Sequence, residues 1–155
     1  MRIMKKNKIK SIAFLITWMI VIFIMSSFAG DESSEQSNII VDIIVSIFNI
    51  ENITLLSLII RKLAHITEFL ILGILFCNVM KQYNKNIYWG VLFSFLYAIS
   101  DEIHQHFVPG RACQITDMLI DLFGIILGLI IYKLVIQKKI SVWYNSLVLK
   151  KSRRV

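Results

Sequence analysis

Ionisable and amide side chains interrupt three apolar stretches of this 155-residue chain at helical spacing. The stretches read "RKLAHITEF", "SDEIHQHFVPGR" and "DMLIDLFGIILG". Residues three, four or seven positions apart lie on one face of a helix, so each stretch predicts one polar face. The first stretch carries Arg61, Lys62, His65 and Glu68, the second Asp101, Glu102, His104, Gln105 and Arg111, and the third Asp117 and Asp121.

This mixture of side chains suits chemistry on a phosphate group. Arg61 and Arg111 could clamp a phosphate through charge-assisted hydrogen bonds. His65 would be the general base or the nucleophile, held by Glu68 or Asp101, since a nearby carboxylate favours the imidazolium and lets histidine shuttle protons near neutral pH.

The segments that must position these side chains are apolar enough to lie in a membrane. Hydrophobic residues make up 57% of the chain, above the usual range of a soluble domain. A spanning helix needs about 20 apolar residues, and four stretches approach that length, at 11–29, 55–80, 86–105 and 115–136. We predict an all-α integral membrane four-helix bundle that forms one domain over 1–155, with neighbouring helices antiparallel.

Charge predicts how these spans are oriented. Lys and Arg near span ends collect on the cytoplasmic side, and most of the 17 basic residues precede the first span, separate the second from the third, or follow the fourth in the tail 137–155. Both termini are therefore expected in the cytoplasm. The net charge of +7 then indicates contact with anionic inner-leaflet lipids rather than with nucleic acid. The first span, 11–29, is expected to be an uncleaved anchor, since its apolar part is longer than a signal-peptide core of about 7–15 residues.

The segment between the first two spans predicts a further helix on the opposite side of the membrane. "SSEQ" offers a helix-capping pattern, and Asn38, Asp42, Ser46 and Asn49 then recur at helical spacing among isoleucines. Such an amphipathic helix lies at the outer interface, or it packs on the bundle as a lid.

The polar faces are predicted to meet at one depth. At about 1.5 Å per residue, His65, Asp101 and Asp121 fall in the same outer half of the membrane. A charge facing lipid at mid-membrane costs about 2.5–3.5 kcal/mol, so these groups should face one another in a water-accessible pocket. The Pro-Gly pair before Arg111 predicts a tight turn over it, and Gly124 and Gly128 predict close helix packing within the chain.

The three stretches, in this order, resemble the VanZ-like family. "FIMSSFAGDESSEQS", after the first span, also resembles that family's serine-containing segment. The resemblance implies a small bacterial membrane protein with four spans, located in the cell membrane. The family's namesake is associated with resistance to the glycopeptide teicoplanin, and the family has been grouped with membrane enzymes that exchange or cleave lipid head groups. Asp121 departs from the pattern, since many relatives carry Asn there, and His104 is less typical of it.

We therefore expect action on a phosphate-linked lipid or cell-envelope precursor at the outer leaflet, by head-group exchange or phosphoester cleavage, without a cofactor. Glycopeptide resistance would be a consequence. The predicted catalytic residues are His65, Glu68, Asp101, Glu102 and Asp117. The predicted substrate-binding residues are Arg61, Lys62, His104, Gln105, Arg111 and Asp121.

Other functions stay open at this point. His65 with Glu68, and Asp101 with His104, are pairs at i, i+3, a spacing with which facing helices hold two divalent metal ions. The same charges could bind a lipid-linked precursor or a glycopeptide without turnover. A transport pathway is disfavoured because no inverted repeat is evident. An enzyme changes the mass of its ligand, whereas a binder returns the ligand intact. The oligomeric state is not predicted.

Overall fold

The computed structural model of the protein describes residues 2–28, 41, 44–46, 52–136 and 138. Four α-helices follow one another in it: α1, Arg2–Ser26; α2, Ile53–Gln82; α3, Tyr88–Gln105; and α4, Ile115–Ile131. A π-helical turn, Tyr132–Ile136, continues α4. None of the described residues lies in a strand, so the predicted all-α fold is confirmed.

Asparagine side chains set where two of the helices begin. Asn52 accepts the backbone N–H of Leu55 at 3.0 Å, which caps α2. The side chain of Asn86 accepts the N–H of Tyr88 at 3.1 Å, so α3 begins two residues later than the predicted span 86–105. Asn84 ends the preceding turn with a left-handed φ of 54°, a conformation that asparagine tolerates better than most residues.

Neighbouring helices run antiparallel, as the short links predict. Helices α1 and α2 run antiparallel, since Lys8 near the start of α1 lies 4.7 Å from the ring centre of Tyr83, just after the end of α2. Helices α1 and α3 run parallel, and the Tyr97 hydroxyl of α3 donates to the carbonyl of Met19 of α1 at 2.7 Å. The C-terminal ends of α1 and α3 therefore meet the N-terminal ends of α2 and α4. We call this the acidic end of the bundle, and the opposite end, which includes Lys8 and Tyr83, the basic end.

The parallel helices α2 and α4 approach each other closely because glycines line their contact. A Cβ added at Gly124 would lie 2.5 Å from the carbonyl oxygen of Ile66, and one added at Gly128 would clash with the carbonyl oxygen of Leu70. Both glycines are buried. The small-residue pattern therefore packs α4 on α2 within this chain. These close contacts fix the axial position of α4 relative to α2.

The apolar side chains form a small core and a large outward surface. Ile22, Phe69, Leu72, Ala98 and Ile125 are fully buried together. Many other large apolar side chains are exposed, among them Phe14, Leu63, Leu96, Phe123 and Ile130. An apolar exterior of this kind is typical of helices that face lipid.

Three helical stretches within the described residues are long and apolar enough to cross a membrane, judged by length and composition: Asn7–Ser26, Ile53–Gln82 and Ile115–Val135. Helix α3 is not among them. It has 18 residues, and its last turns carry Asp101, Glu102 and Gln105, which lower its hydropathy. The predicted amphipathic helix between α1 and α2 falls mostly outside the described residues; Val41 and residues 44–46 are helical.

Candidate functional site

His65 and Asp121 meet at the acidic end between α2 and α4. Nδ1 of His65 lies 3.3 Å from Oδ1 of Asp121, and their side chains are 10% and 0% exposed. The distance is that of an ion pair, without the alignment of a hydrogen bond. We expected Glu68 or Asp101 to hold His65, whereas the carboxylate in ion-pair contact with it is that of Asp121. Glu68 lies within electrostatic range of His65, and both oxygens of Asp101 accept hydrogen bonds from Ser26 and Gln105.

Lys62 and Asp117 form a second pair across the same two helices. Nζ of Lys62 lies 3.0 Å from Oδ1 of Asp117. The lysine side chain is 45% exposed and the aspartate 19%, so this pair lies at the rim of the acidic end. Asp117 also lies in the first turn of α4, where a negative charge is favoured by the helix dipole. A partly exposed pair of this kind adds about 0–1 kcal/mol to stability.

Asp101 is held by two neutral donors. The Ser26 hydroxyl donates to Oδ1 of Asp101 at 2.6 Å, and Nε2 of Gln105 donates to Oδ2 at 2.9 Å. All three side chains are buried. The two hydrogen bonds fix the orientation of the carboxylate and attach the end of α1 to α3.

Glu102 connects α3 to the loop that carries Arg111. Oε2 of the fully buried Glu102 accepts the backbone N–H of Gln114, the N-cap residue of α4, at 2.9 Å. In the same loop the N–H of Arg111 donates to the carbonyl of Val108 at 3.1 Å, and Gly110 has a φ of 73°. Proline at the second position and a left-handed glycine at the third define a type II turn. The predicted turn before Arg111 is therefore confirmed.

Arg111 extends from this turn into the electrostatic range of four charged groups: Arg61, Glu68, Asp101 and Glu102. Partial burial, followed by the positive charge of Arg61, lowers the pKa of the Arg111 guanidinium. Arginine is protonated in proteins even so. Two guanidinium groups of like charge therefore lie within electrostatic range of each other at the acidic end.

Glu68 lies within electrostatic range of several predicted site residues. It is partly buried, and His65, Asp101, Asp121 and Arg111 all lie within its electrostatic range. The backbone carbonyl of Glu68 accepts the indole N–H of Trp18 at 3.0 Å. Helix α1 therefore contacts the turn of α2 that carries Glu68.

His104 turns towards α1 rather than into this cluster. Its ring stacks on Phe23 with centres 4.5 Å apart, and its Nε2 lies 3.0 Å from the hydroxyl of Ser27. The contact gives His104 a part in seating α1. Its predicted substrate-binding role stays a prediction.

Several side chains at the acidic end keep buried polar atoms that have no hydrogen-bond partner in the described structure. These atoms include Oε1 of Glu102, Nε of Arg111 and both carboxylate oxygens of Asp121, of which Oδ1 has only the ion-pair contact with His65. Buried polar groups are nearly always paired, so each such atom requires an explanation.

Within the described residues, no group of three or more His, Cys, Asp or Glu side chains is arranged to hold a metal ion. The histidines of the two i, i+3 pairs have different partners: His65 pairs with Asp121 on α4, whereas His104 contacts α1.

Three further residues contact predicted site residues although no role was predicted for them: Ser26, Ser27 and Gln114. Ser26 and Ser27 stand in the serine-containing segment noted above, which was the available signal. No sequence signal indicated the contact of Gln114, because its backbone N–H makes it.

A comparison of sequences identifies the family of the chain. A family model described as VanZ/LLP1 matches residues 11–136, which include every residue of the predicted site. Searches of curated proteins and of solved structures gave no match.

Proposed function

The chain belongs to the VanZ/LLP1 family, and on that premise we propose that it acts on a phosphate-linked lipid or envelope precursor at the membrane surface. The reaction is head-group exchange or phosphoester cleavage. The observations that carry the proposal are the histidine–carboxylate pair of His65 and Asp121 and the buried, unpaired Nε of Arg111. The guanidinium groups of Arg61 and Arg111 lie within electrostatic range of each other.

The like charges favour an anionic ligand between them. Two nearby guanidinium groups repel each other, and a phosphate would replace that repulsion with charge-assisted hydrogen bonds. Nε of Arg111 is buried and has no hydrogen-bond partner in the described structure, so it can donate to such a phosphate. Arginine suits this task better than lysine because its planar fork matches phosphate oxygens in pairs.

His65 would supply the proton transfer. Asp121 contacts Nδ1, which orients the ring and leaves Nε2 as the nitrogen for the reaction. His65 accepts a proton from the hydroxyl of the incoming alcohol, whose oxygen attacks phosphorus. The phosphorus–oxygen bond to the departing head group breaks, and His65 returns the proton to the departing alkoxide. In cleavage, water takes the place of the incoming alcohol.

The remaining predicted residues would support these steps. Glu68, which lies within electrostatic range of both, balances the charge of His65 and Arg111. Asp117, held by Lys62 at the rim, would orient the incoming group. Asp101 and Glu102 would position the end of α1 and the loop of Arg111 through the contacts described above.

We propose a four-span topology in one membrane domain, with the acidic end outside and both termini in the cytoplasm. At about 1.5 Å per residue, the 18 residues of α3 extend about 27 Å, close to the roughly 30 Å hydrocarbon core. Lysines gather at the basic end, where Lys8 and Lys133 lie over the rings of Tyr83 and Tyr88. This is the distribution of a cytoplasmic face, in contact with anionic lipids.

A non-enzymatic binder is the second candidate. Asp101 and Asp117 are already engaged by Ser26, Gln105 and Lys62, an arrangement that also suits tight holding without turnover. A lipid-linked precursor or a glycopeptide would then be bound at the acidic end. Under either proposal, teicoplanin susceptibility of cells would change with expression.

Head-group release from phospholipid vesicles tests the proposal. The purified chain would be reconstituted with phospholipids carrying labelled head groups, and His65→Ala would be compared with His106→Ala. His106 is an exposed histidine two residues before the turn at Val108, so it is a matched control. We expect release by the wild type and by His106→Ala, and loss of release in His65→Ala. Equal release by His65→Ala would refute the assignment, and intact lipid that stays bound would favour the binder.

The proposed steps need no cofactor. Elemental analysis of the active protein should therefore show no stoichiometric metal, and release should survive a chelator. A bound divalent metal whose removal abolishes release would contradict this part of the proposal.

A further inference from the structure

Two fully buried acids at the acidic end present oxygens that accept no hydrogen bond in the described structure. Glu102 and Asp121 are both 0% exposed. Oε2 of Glu102 accepts the N–H of Gln114, but its Oε1 has no donor. Oδ1 of Asp121 forms an ion pair with His65, but Oδ2 of Asp121 has neither an ion pair nor a hydrogen-bond donor in the described structure. The two acids lie on facing helices, within electrostatic range of each other.

Among the described residues, carboxylates outnumber permanent cations at the acidic end. That part of the chain holds five carboxylates, on Glu68, Asp101, Glu102, Asp117 and Asp121, against the permanent cations of Arg61, Lys62 and Arg111. Lys62 is engaged by Asp117. A phosphate between Arg61 and Arg111 would use the charge of both arginines. Carboxylate oxygens buried without a donor are costly, so Oε1 of Glu102 and Oδ2 of Asp121 favour a ligand that donates hydrogen bonds. The excess of carboxylates favours a ligand that is also cationic.

We propose that Glu102 and Asp121 form a subsite for the ammonium group of an amino-alcohol head group. The inference rests on the proposed function, which places the phosphate of the same ligand at Arg61 and Arg111. An ethanolamine-type head group carries its ammonium two carbons from the phosphate ester oxygen, and it donates three hydrogen bonds. Oε1 of Glu102 and Oδ2 of Asp121 are the acceptors.

Three head groups separate the chemistry of this subsite. Phosphatidylethanolamine offers a positive charge and N–H donors. Phosphatidylglycerol offers hydroxyl donors without positive charge, and phosphatidylcholine offers positive charge without N–H donors. A subsite of two carboxylates distinguishes the first lipid from the others by at least one charge-assisted hydrogen bond, which corresponds to a preference of about tenfold or more.

Native mass spectrometry of the full chain, purified in detergent and mixed with the three lipids at equal concentration, measures this preference without requiring turnover. We expect phosphatidylethanolamine to bind about tenfold more tightly than the other two lipids. Equal binding of all three, abolished by Arg111→Ala, would show a phosphate site alone and overturn the subsite. A preference for phosphatidylglycerol would overturn it as well.

Two isosteric variants assign the preference to these acids. Asp121→Asn and Glu102→Gln remove a charge without changing shape, and each should reduce the preference for phosphatidylethanolamine. Thr67→Val is an isosteric change at an exposed side chain of α2 outside the predicted site, and it should keep the preference. A preference that survives in both isosteric variants would refute the assignment. Variants that elute as aggregates are excluded, and the wild-type measurement still decides.

The same preparation separates this inference from the proposed function. If the lipid preference is present but no head group is released from vesicles, the enzymatic proposal fails and the subsite stands as part of a binder. If head groups are released without any preference for the primary ammonium, the enzymatic proposal stands and the subsite fails.

Discussion

Replacing Gly124 with alanine would test how helix packing positions the site. An added Cβ at Gly124 lies 2.5 Å from the carbonyl oxygen of Ile66, whereas ordinary van der Waals contact begins at 3.4 Å. The obstacle is backbone, which cannot rotate away as a flexible side chain would. Helices α2 and α4 must therefore separate locally by the difference between these distances, about 0.9 Å.

This separation acts directly on the proposed catalytic pair. Ile66 follows His65 in sequence, and Gly124 lies three residues after Asp121, on the same side of α4. Adding about 0.9 Å to the 3.3 Å contact between His65 and Asp121 takes it beyond 4 Å, the outer limit of an ion pair. Overpacking of this kind costs about 1–3 kcal/mol, and a chain of this size loses about 2–4 °C of Tm for each kcal/mol.

Thermal unfolding in detergent and head-group release in vesicles measure both effects, with Gly73→Ala as the matched control. A Cβ at Gly73 lies 3.0 Å from the carbonyl oxygen of Ile125, so it demands a smaller shift across the same pair of helices. We expect a lower Tm and the larger loss of release in Gly124→Ala. A Gly124→Ala protein with the Tm and activity of the wild type, or a Gly73→Ala protein that is more strongly affected, would refute this reasoning.

Three further predictions follow from the described contacts. Ser26→Ala removes the buried donor to Asp101 and should cost about 1.5–3 kcal/mol, whereas Ser27→Ala, at an exposed contact, should stay within about 0.5 kcal/mol by thermal unfolding; equal effects would contradict the placement of Ser26. Gly110→Ala strains a residue with a φ of 73° by about 1–2 kcal/mol and displaces Arg111, so binding of anionic lipid should weaken in a vesicle assay; unchanged binding would remove Arg111 from the site. A membrane-impermeant maleimide should label the exposed Cys113 in intact cells but not the buried Cys77, and labelling of Cys113 only after lysis would reverse the proposed topology.

The sequence predicts most of the fold because two regular features determine it. Apolar stretches of about 20 residues indicate membrane helices, and short links make neighbouring helices antiparallel. The spacing of Gly124 and Gly128 also predicts the close contact with α2 that the structure contains. The type II turn before Arg111 follows from its Pro-Gly pair.

The partners within the site could not be predicted in the same way. Helical spacing shows which residues share a face, but the rotation of facing helices decides which residues meet across it. The glycine contacts set the axial position of α4 relative to α2. At that position Asp121, rather than Glu68 or Asp101, forms the ion pair with His65. Ser26 gave a weak signal, since serine at the end of an apolar helix is common. The contact from Gln114 to Glu102 uses a backbone N–H, which every residue except proline carries.

Comparative lipid mass spectrometry tests the central claim most directly. Cells expressing the wild type would be compared with cells expressing His65→Ala at matched protein levels, with His106→Ala as the control. The proposed function predicts a phospholipid or precursor class that shifts with the wild type and with His106→Ala but not with His65→Ala. Lipid profiles that coincide in all three strains, with the proteins folded and in the membrane, would contradict an enzymatic role for the acidic end.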